Sequence, residues 1–420
     1  MSEWKTSQIK DFGRVITGYT PPTSNLQLWE GDIPFYSPTD FNDDVFCTKT
    51  ERTINSSAIS NDRIVQENSL MVTCIASIGK IALATKKGIT NQQINSILFN
   101  ESFDPKYCYY LIKNNINELL KLGGTTAVPI VNKADFEKIY LRHHSDKIEQ
   151  RRIAHILSTC DAVIEKTQAA IAKYKAIKQG MLHDLFTRGI DLQTDKLRPR
   201  YEDAPELYKE SKLGWIPKEW EEMNTNSIGE IITGSTPPTA RSEYYGDEFL
   251  FVSPADIHNN FYINETVKKL TQNGFDVCRK LPENSICIVC IGSTIGKMAL
   301  LDKEGCTNQQ INSIVCFNSD LSTYFFYAML FYNEPQFRRE TGLQAVPIVN
   351  KRQFSEFLVP VTEKTEALKI AERLNSIDTK LQTEQAYLQK MQQLKKGLME
   401  DLLSGRKKVI INEPQLYEQQ

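Results

Sequence analysis

The chain lacks a hydrophobic run long enough to cross a membrane. Its apolar stretches fall short of the ~18 residues that a membrane helix needs, and its first residues, MSEWKTSQIK, are too polar for a secretion signal. The chain contains 50 Lys and Arg residues and 52 Asp and Glu residues, so the positive and negative charges nearly balance. We therefore expect a cytoplasmic protein, in which any surface for a nucleic acid concentrates its positive charge locally or borrows it from a partner.

Motifs for catalysis are also lacking. The sequence contains no Asn/Asp-Pro-Pro-Tyr/Phe methyltransferase loop, no glycine-rich cofactor loop and no HExxH metal site. The string GSTIGK (292–297) has three residues between its glycines, whereas the nucleotide-binding loop needs four. Its counterpart has Ala76 and no first glycine within reach. These absences predict no catalytic residue, no metal and no cofactor, and so a protein that is not an enzyme.

The cysteine and histidine residues do not indicate a metal or catalytic site either. The nine cysteines, an odd number, lie mostly inside apolar runs, which is typical of free, buried thiols in a reducing compartment. Cys287 and Cys290 form a CxxC, but positions i and i+3 of a strand face opposite sides, and no second CxxC completes a zinc site. His143 and His144 have no matching pair elsewhere, so we expect them in an exposed turn.

What the chain does contain is an internal repeat. The matching segments are TGYTPPT (17–23) and TGSTPPT (233–239), FYSPTD (35–40) and FVSPAD (251–256), SIGKIAL (77–83) and TIGKMAL (294–300), TNQQINSI at 90–97 and 307–314, and AVPIVNK at 127–133 and 345–351. The offset between copies stays between 216 and 218 residues, and Trp4 matches Trp220. A constant order and offset indicate a duplication.

Each half divides into a mixed globule and a long helix. Short apolar runs bounded by Gly and polar turns predict strands, and an apolar helix candidate follows at 105–121 and again at 321–340. The predicted divisions are a first globule (1–145), a long helix (146–189), a linker rich in Pro and charge (190–216), a second globule (217–361), a second long helix (362–404) and a frayed tail (405–420). The fold class is α+β, with two similar α/β globules separated by long helices.

A seven-residue apolar period runs through both long helices. Steps of four and three residues reach Ile153, Leu157, Cys160, Ile164, Thr167, Ile171, Tyr174, Lys178, Met181 and Leu185. Adding 217 gives Ile370, Leu374, Ile377, Leu381, Glu384, Leu388, Met391, Lys395, Leu398 and Leu402. A period sustained over more than four heptads is typical of a coiled coil. The alternative is that each helix packs separately on its own globule.

The two lysines in this seam favour an antiparallel pair. A parallel, in-register pair would bury Lys178 against Lys395, which is costly. In an antiparallel pair Lys178 falls near Ile377 and Lys395 near Cys160, and we expect each lysine to extend outward to water alone. Antiparallel packing of equivalent helices also creates a pseudo-two-fold axis within the chain, with a globule at each end of a stiff rod.

This predicted symmetry suits duplex DNA, which has local two-fold axes of its own. Symmetric DNA-binding proteins place two recognition surfaces on half-sites about a helical turn apart. Two globules on a fixed spacer therefore fit two short sequences separated by bases that the protein ignores. The same arrangement also fits a scaffold that holds two copies of a protein and binds no DNA.

Further strings carry a family resemblance. KLGWIPKEW (212–220) enters the second globule and EQRRIAHIL (149–157) opens the first long helix, beside the repeated TNQQINSI and AVPIVNK. Over nearly its whole length the chain resembles the specificity subunits of type I restriction–modification systems, which serve host defence. The resemblance implies that each globule is a target-recognition domain for one half of a bipartite DNA site. It also implies that the paired helices set the spacing and hold two DNA adenine methyltransferase (modification) subunits.

The resemblance further implies that restriction subunits complete the complex, and that S-adenosylmethionine, magnesium and ATP belong to these partners. One alternative is a specificity subunit of another DNA-modifying assembly, with a fused methyltransferase–nuclease partner. The non-DNA scaffold is the other.

Residues that the two copies share are expected to serve the fold, phosphate contact or partner contact, and residues that differ are expected to contact bases. The variable stretches are 24–32 against 240–248, 41–63 against 257–279, and the loops 123–126 and 342–344. The side chains expected to contact DNA are Thr20, Thr23, Lys80, Thr125, Thr126, Thr236, Thr239, Arg241, Tyr244, Tyr245, Lys297 and Gln344. A rigid turn for each threonine loop and a solvated side chain for each lysine remain open.

A second polar set is identical in both copies. It comprises Asn91, Gln92, Gln93, Asn95, Asn308, Gln309, Gln310 and Asn312. Asn and Gln can pair with adenine in the major groove, but identical strings argue against base recognition unless the half-sites share a base. We favour an amide network that organises each globule.

Overall fold

The computed structural model describes residues 3–42, 44–124, 129–257, 261–341 and 346–409. The chain divides into two compact units, Met1–Gln168 with Ala386–Gln420, and Ala169–Gln385. Each unit therefore contains one globule together with part of each long helix. Among the described residues, no helix has the length and apolar character needed to cross a membrane.

The first globule is built on a five-stranded sheet. In spatial order its strands are Gly13–Thr17, Ile94–Phe99, Leu70–Thr73, Ile81–Ala84 and Phe46–Cys47. Neighbours are antiparallel except for the last pair, which is parallel. A smaller sheet places Ile33–Tyr36 between Arg52–Ile54 and Ile89–Thr90.

The second globule repeats this topology. Its five strands, in the same spatial order, are Gly229–Thr233, Ile311–Cys316, Ile286–Val289, Met298–Leu301 and Tyr262–Ile263. The smaller sheet contains Tyr245–Gly246, Lys268–Leu270, Phe249–Val252 and Gly305–Thr307. The same order and the same single parallel pair confirm two similar α/β domains with internal symmetry.

The central strands are apolar throughout because both faces of the sheet are covered. Leu70 and Val72 join one core while Met71 joins another. Cys287 and Cys290 likewise lie in different cores, on opposite faces, so they do not form a paired thiol site. Burial raises the pKa of each of these two thiols to about 12, which keeps them protonated at neutral pH.

Helices cover one face of each sheet. Pro105–Asn114 begins where the Asp104 carboxylate accepts a hydrogen bond from the Tyr107 amide at 2.9 Å, with proline at the first helical position. Ile116–Leu122 follows it, and the second globule has one continuous helix, Ser322–Thr341. The other short α-helices are Ile9–Phe12, Lys133–Glu137, Thr225–Ile228, Gln272–Asp276 and Lys351–Ser355. Single 3₁₀ turns are Leu26–Trp29, Ser56–Ala58, Asn61–Arg63, Pro205–Leu207, Ser242–Tyr244, Pro254–Asp256 and Ser319–Leu321.

A two-stranded ribbon closes each globule and leads into its long helix. Trp4–Gln8 pairs with Tyr140–His144, and Glu221–Asn224 pairs with Leu358–Val361. The expectation of an exposed turn at His143 and His144 is wrong, because both rings are buried in this ribbon. His143 Nε2 lies 3.0 Å from Ser7 Oγ, and burial lowers the pKa of this histidine.

The long helices, Lys147–Arg188 and Lys364–Ser404, run antiparallel. In the first unit Ile153 and Leu157, near the start of the first helix, share a core with Leu402, near the end of the second. In the second unit Leu185 shares a core with Ile370 and Leu374. The start of one helix thus meets the end of the other within each unit, which confirms the antiparallel prediction.

The seam is most deeply buried near the start of each helix, where Leu157, Ile370 and Leu374 are fully buried. Ile171 and Leu381 are buried, while Ile164 and Leu388 are half-buried. The expectation that the two lysines extend outward alone is wrong. Lys178 pairs with Asp378 at 2.7 Å and Lys395 pairs with Asp161, because each aspartate lies one residue beyond the seam position expected to face the lysine.

The segment 190–216 is more ordered than a surface connector. Ile190–Asp191 pairs with Lys196–Leu197, and Tyr208–Ser211 pairs with Gly214–Pro217. The Ile190 and Ile216 side chains are fully buried in the core of the second unit. These few apolar residues, placed on hairpins, suffice to fix a segment that is otherwise rich in charge and proline. The tail beyond residue 409 lies outside the described residues.

Candidate nucleic-acid interface

The two threonine loops, 17–23 and 233–239, are each fastened to the polar loop 90–95 or 307–312 of the same globule. The Tyr19 amide donates to the Thr90 carbonyl at 2.8 Å, and the Ser235 amide donates to the Thr307 carbonyl at 2.8 Å. A Cβ at Gly18 would lie 2.2 Å from the Asn91 carbonyl oxygen, so this close approach of two backbones requires glycine. Gly234 is confined in the same way.

Asn and Gln side chains that both copies share form hydrogen bonds that hold these loops in place. Asn95 and Asn312 are buried, and each carboxamide oxygen accepts a 2.7 Å hydrogen bond, from Thr17 and Thr233 respectively. The Asn91 amide donates to Gln93 Oε1 at 2.9 Å, and the Asn308 amide donates to Gln310 Oε1 at 3.1 Å. All these hydrogen bonds stay within the globule, as an organising network requires.

Two members of the shared set reach the surface instead. Gln92 and Gln309 are exposed, and each accepts a hydrogen bond from a loop hydroxyl, Thr20 Oγ1 at 2.5 Å and Thr236 Oγ1 at 2.6 Å. Each Gln–Thr pair therefore presents an amide NH₂ group and a hydroxyl together at the surface. This pair can donate to a phosphate or accept from a base, and it occurs identically in both globules.

The variable stretches bring different cations to these shared loops. In the first globule the Arg52 guanidinium stacks 3.5 Å above the Trp29 ring centroid, and Arg63 lies 5.7 Å from the Tyr19 ring centroid. Tyr19 itself accepts a 2.7 Å hydrogen bond from the Ser60 amide, which holds the stretch that ends at Arg63 against the threonine loop. A guanidinium held on an aromatic ring keeps its edge free for a base or a phosphate.

The second globule arranges another set around its threonine loop. Arg241 donates to the Tyr244 hydroxyl at 2.9 Å, and the Tyr245 hydroxyl donates to the Pro237 carbonyl at 2.8 Å. Burial raises the pKa of Tyr245, so its hydroxyl remains a donor at physiological pH. Arg279 donates to the Thr233 carbonyl at 2.6 Å and is exposed.

Sequence reasoning did not single out Arg52, Arg63 or Arg279. All three lie inside the stretches 41–63 and 257–279 that the comparison of the two copies marks as variable. Their position inside a variable stretch is the signal that the sequence offers, because Trp29 and Tyr19, the aromatic partners of Arg52 and Arg63, lie 23 and 44 residues earlier in the chain. Thr23 and Thr239 are exposed at the ends of their loops.

The lysines that follow Gly79 and Gly296 lie in different surroundings. Both turns hold glycine at positive φ, +97° at Gly79 and +86° at Gly296. Lys80 is exposed and its ammonium donates to the Pro38 carbonyl at 3.2 Å. Lys297 instead lines a cavity of about 890 Å³ with Lys175 and Arg338. Thr125, Thr126 and Gln344 lie outside the described residues, so the DNA contacts expected of them remain predictions.

Comparison with known proteins decides the family. The model of the type I restriction modification DNA specificity domain matches the chain twice, at residues 1–174 and 217–393. The chain belongs to this family. It is a type I specificity subunit, and recognition of a DNA target is the general role of such subunits, which are themselves non-catalytic and act with other subunits of a restriction–modification complex.

Curated type I specificity subunits match over different lengths. The MjaVIII specificity subunit of Methanocaldococcus jannaschii is 24% identical over 420 residues, covering 97% of this chain and 93% of that protein. The MjaIX specificity subunit of the same organism is 29% identical over 280 residues, and the match spans 64% of this chain and 62% of that protein. The HindI specificity subunit of Haemophilus influenzae is 37% identical over 117 residues, 27% of this chain and 25% of that protein.

A solved structure of the same kind supports the fold. The S subunit of a type I restriction–modification system from M. genitalium superposes with a TM-score of 0.65 at 16% identity, covering 95% of this chain and 96% of that one. At this identity the likeness concerns the fold alone.

Proposed function

We propose that each globule of this specificity subunit recognises one half of a bipartite DNA target, and that the long helices set the number of ignored bases between the halves. The same helices hold two DNA adenine methyltransferase subunits, and restriction subunits join to form the nuclease. Methylation and cleavage, with S-adenosylmethionine, magnesium and ATP, then belong to these partners.

The observation that carries this proposal is the division of each globule into a shared part and a variable part around one loop. Thr20 with Gln92, and Thr236 with Gln309, form the same exposed pair in both globules. Groups that are identical in both suit the phosphate backbone, because it is the same in every sequence. The cations around these pairs differ, Arg52 stacked on Trp29 in one globule and Arg241 beside Tyr244 in the other. Different groups suit different bases.

Exchange of one globule tests this assignment. Replacing residues 1–145 by the first domain of another family member is expected to change one half of the methylated motif and leave the other half and the spacer unchanged. The readout is sequencing of methylated adenines in cells that produce the chimera together with its modification subunits. The reciprocal exchange of residues 217–361 is the matched control and is expected to change the opposite half.

Two outcomes would contradict the proposal. A change of both half-sites in one chimera would show that the globules do not act separately. Unchanged methylation in both chimeras would assign sequence recognition to a partner and would favour a scaffold role for this chain.

A further inference from the structure

We infer that two equivalent Lys–Asp–Tyr triads, one in each unit, fix the register of the antiparallel helices, and that they are therefore positioning residues for the spacer. The link to the spacer rests on the proposed function, whereas the link to the register does not. Both triads are made of residues that the apolar seam does not explain.

The first triad joins three elements of the first unit. Asp161 on the first long helix accepts hydrogen bonds from the Tyr110 hydroxyl of the globule, at 2.6 Å, and from the Lys395 ammonium of the second long helix. The Lys395 ammonium also lies 5.5 Å from the Tyr110 ring centroid. The globule and both helices therefore meet at a single carboxylate.

The second triad repeats this arrangement with the helices exchanged. Asp378 on the second long helix accepts from the Tyr327 hydroxyl at 2.5 Å and from the Lys178 ammonium of the first long helix at 2.7 Å. The Lys178 ammonium lies 5.4 Å from the Tyr327 ring centroid. Every residue of this triad is 217 positions from its counterpart, so the duplication preserved all three partners.

The two triads specify one register. In an antiparallel pair, the numbers of facing residues have a constant sum, and that sum is 556 both for 161 with 395 and for 178 with 378. The apolar seam cannot set this value alone, because its period of seven offers similar partners after a slip of one heptad.

A slip of one heptad would break both triads at once. With a sum of 549, Asp161 would face Leu388 and Asp378 would face Ile171, so each carboxylate would meet an aliphatic side chain. Asp378 is only 6% exposed in the native register, and so has little access to water. Buried charges without partners are strongly disfavoured, and a single polar position in a helix seam is a well-established means of specifying register.

The test replaces both triads by apolar residues and traps the register with cysteines. The apolar variant carries Asp161→Leu, Asp378→Leu, Lys178→Leu, Lys395→Leu, Tyr110→Phe and Tyr327→Phe. Removing all partners together leaves no unpaired buried group, so the variant is expected to fold. Thr167→Cys with Leu388→Cys reports the native register, and Thr167→Cys with Leu381→Cys reports a slip of one heptad.

The native chain is expected to give the disulfide with the first cysteine pair and none with the second. The apolar variant is expected to give both, with yields within about tenfold of each other, because the remaining seam distinguishes the registers poorly. The Thr167→Cys chain without a second substitution measures the background from native cysteines. Replacing both lysines by arginine preserves the charges and is expected to retain the native product alone.

A matched control removes an equal number of lysines and aspartates at positions outside the seam. It carries Lys364→Leu, Asp320→Leu, Lys369→Leu and Asp195→Leu, which remove three ion pairs whose aspartates are exposed, since Asp195 also pairs with Arg373. This control is expected to keep the native register. If the apolar variant also gives only the native disulfide, packing against the globules suffices to set the register and the inference is overturned.

The consequence for DNA is measured separately. A slip of one heptad shifts one helix by about 10 Å along the other, which equals about three base pairs at 3.4 Å each. In cells that also contain the modification subunits, the apolar variant is expected to lose at least about half of the methylation at the native spacer. If the unmodified chain yields no bipartite motif, the proposed function fails while the disulfide result still decides the register. If the register slips and the methylation at the native spacer stays unchanged, the link to the spacer is wrong.

Discussion

Inserting one heptad into each long helix is expected to lengthen the ignored spacer by about three base pairs without changing either half-site. Seven residues add about 10 Å to a helix, and a whole heptad keeps each seam residue on its original face. Insertion between Gln168 and Ala169, and between Tyr387 and Leu388, places the additions opposite each other in the native register. Both Lys–Asp pairs then remain intact, because each pair lies wholly on one side of the insertions.

The measurement is sequencing of methylated adenines in cells that produce the extended chain and its modification subunits. Insertion into the first helix alone is the control, since it leaves the opposite helix too short to match and is expected to abolish methylation. An unchanged spacer in the doubly extended chain would show that the helices do not set the distance between the half-sites.

Arg198→Ala is expected to lower the free energy of unfolding of the second unit by about 3–5 kcal/mol, the usual cost of leaving a buried charge without its partner. Glu366 is 1% exposed, and its carboxylate accepts from Arg198 at 2.5 Å, from the Trp220 indole at 3.0 Å and from the Ile190 amide at 2.7 Å. The arginine is the partner that balances the charge of this carboxylate. Without it, the junction between the second globule and the start of its helix contains an unbalanced anion.

The change is measured by chemical denaturation followed by circular dichroism, in a Trp4→Phe, Trp29→Phe background whose remaining tryptophan fluorescence, from Trp215 and Trp220, reports the transition of the second unit. Lys364→Ala, which removes an exposed ion pair with Asp320, is the control and is expected to cost at most about 1 kcal/mol. A loss for Arg198→Ala as small as that of the control would show that Glu366 is adequately held by its neutral donors.

The repeat made the larger part of the fold predictable. Identical strings such as TNQQINSI recur in the same order, so one globule implied the other, and the five-stranded sheets of the two globules correspond strand for strand. The seam predicted the helix direction because Lys178 and Lys395 are unacceptable as neighbours. The hairpins of 190–216 escaped prediction because their stability comes from Ile190 and Ile216 packing on a distant core, which local composition does not reveal.

The ion pairs of the long helices and the candidate nucleic-acid interface were harder to predict, because both depend on residues that are brought together only by the fold. The two lysines were expected to reach water because only residues of the seam were considered as their neighbours on the opposite helix. Their partners, Asp161 and Asp378, lie one residue outside the seam. The Tyr110 and Tyr327 hydroxyls come from globule helices whose position the sequence does not give. The arginines that we propose to contact bases are harder still to predict, since Arg52 gains its orientation from Trp29, which lies 23 residues earlier in the chain, and not from its sequence neighbours.

Long-read sequencing of methylated adenines, in cells that produce this chain with its modification subunits, tests the central claim most directly. Two globules on paired helices predict one motif of two short defined sequences separated by a fixed number of undefined bases. A single continuous motif, or methylation at the same sites when this chain is deleted, would contradict that claim.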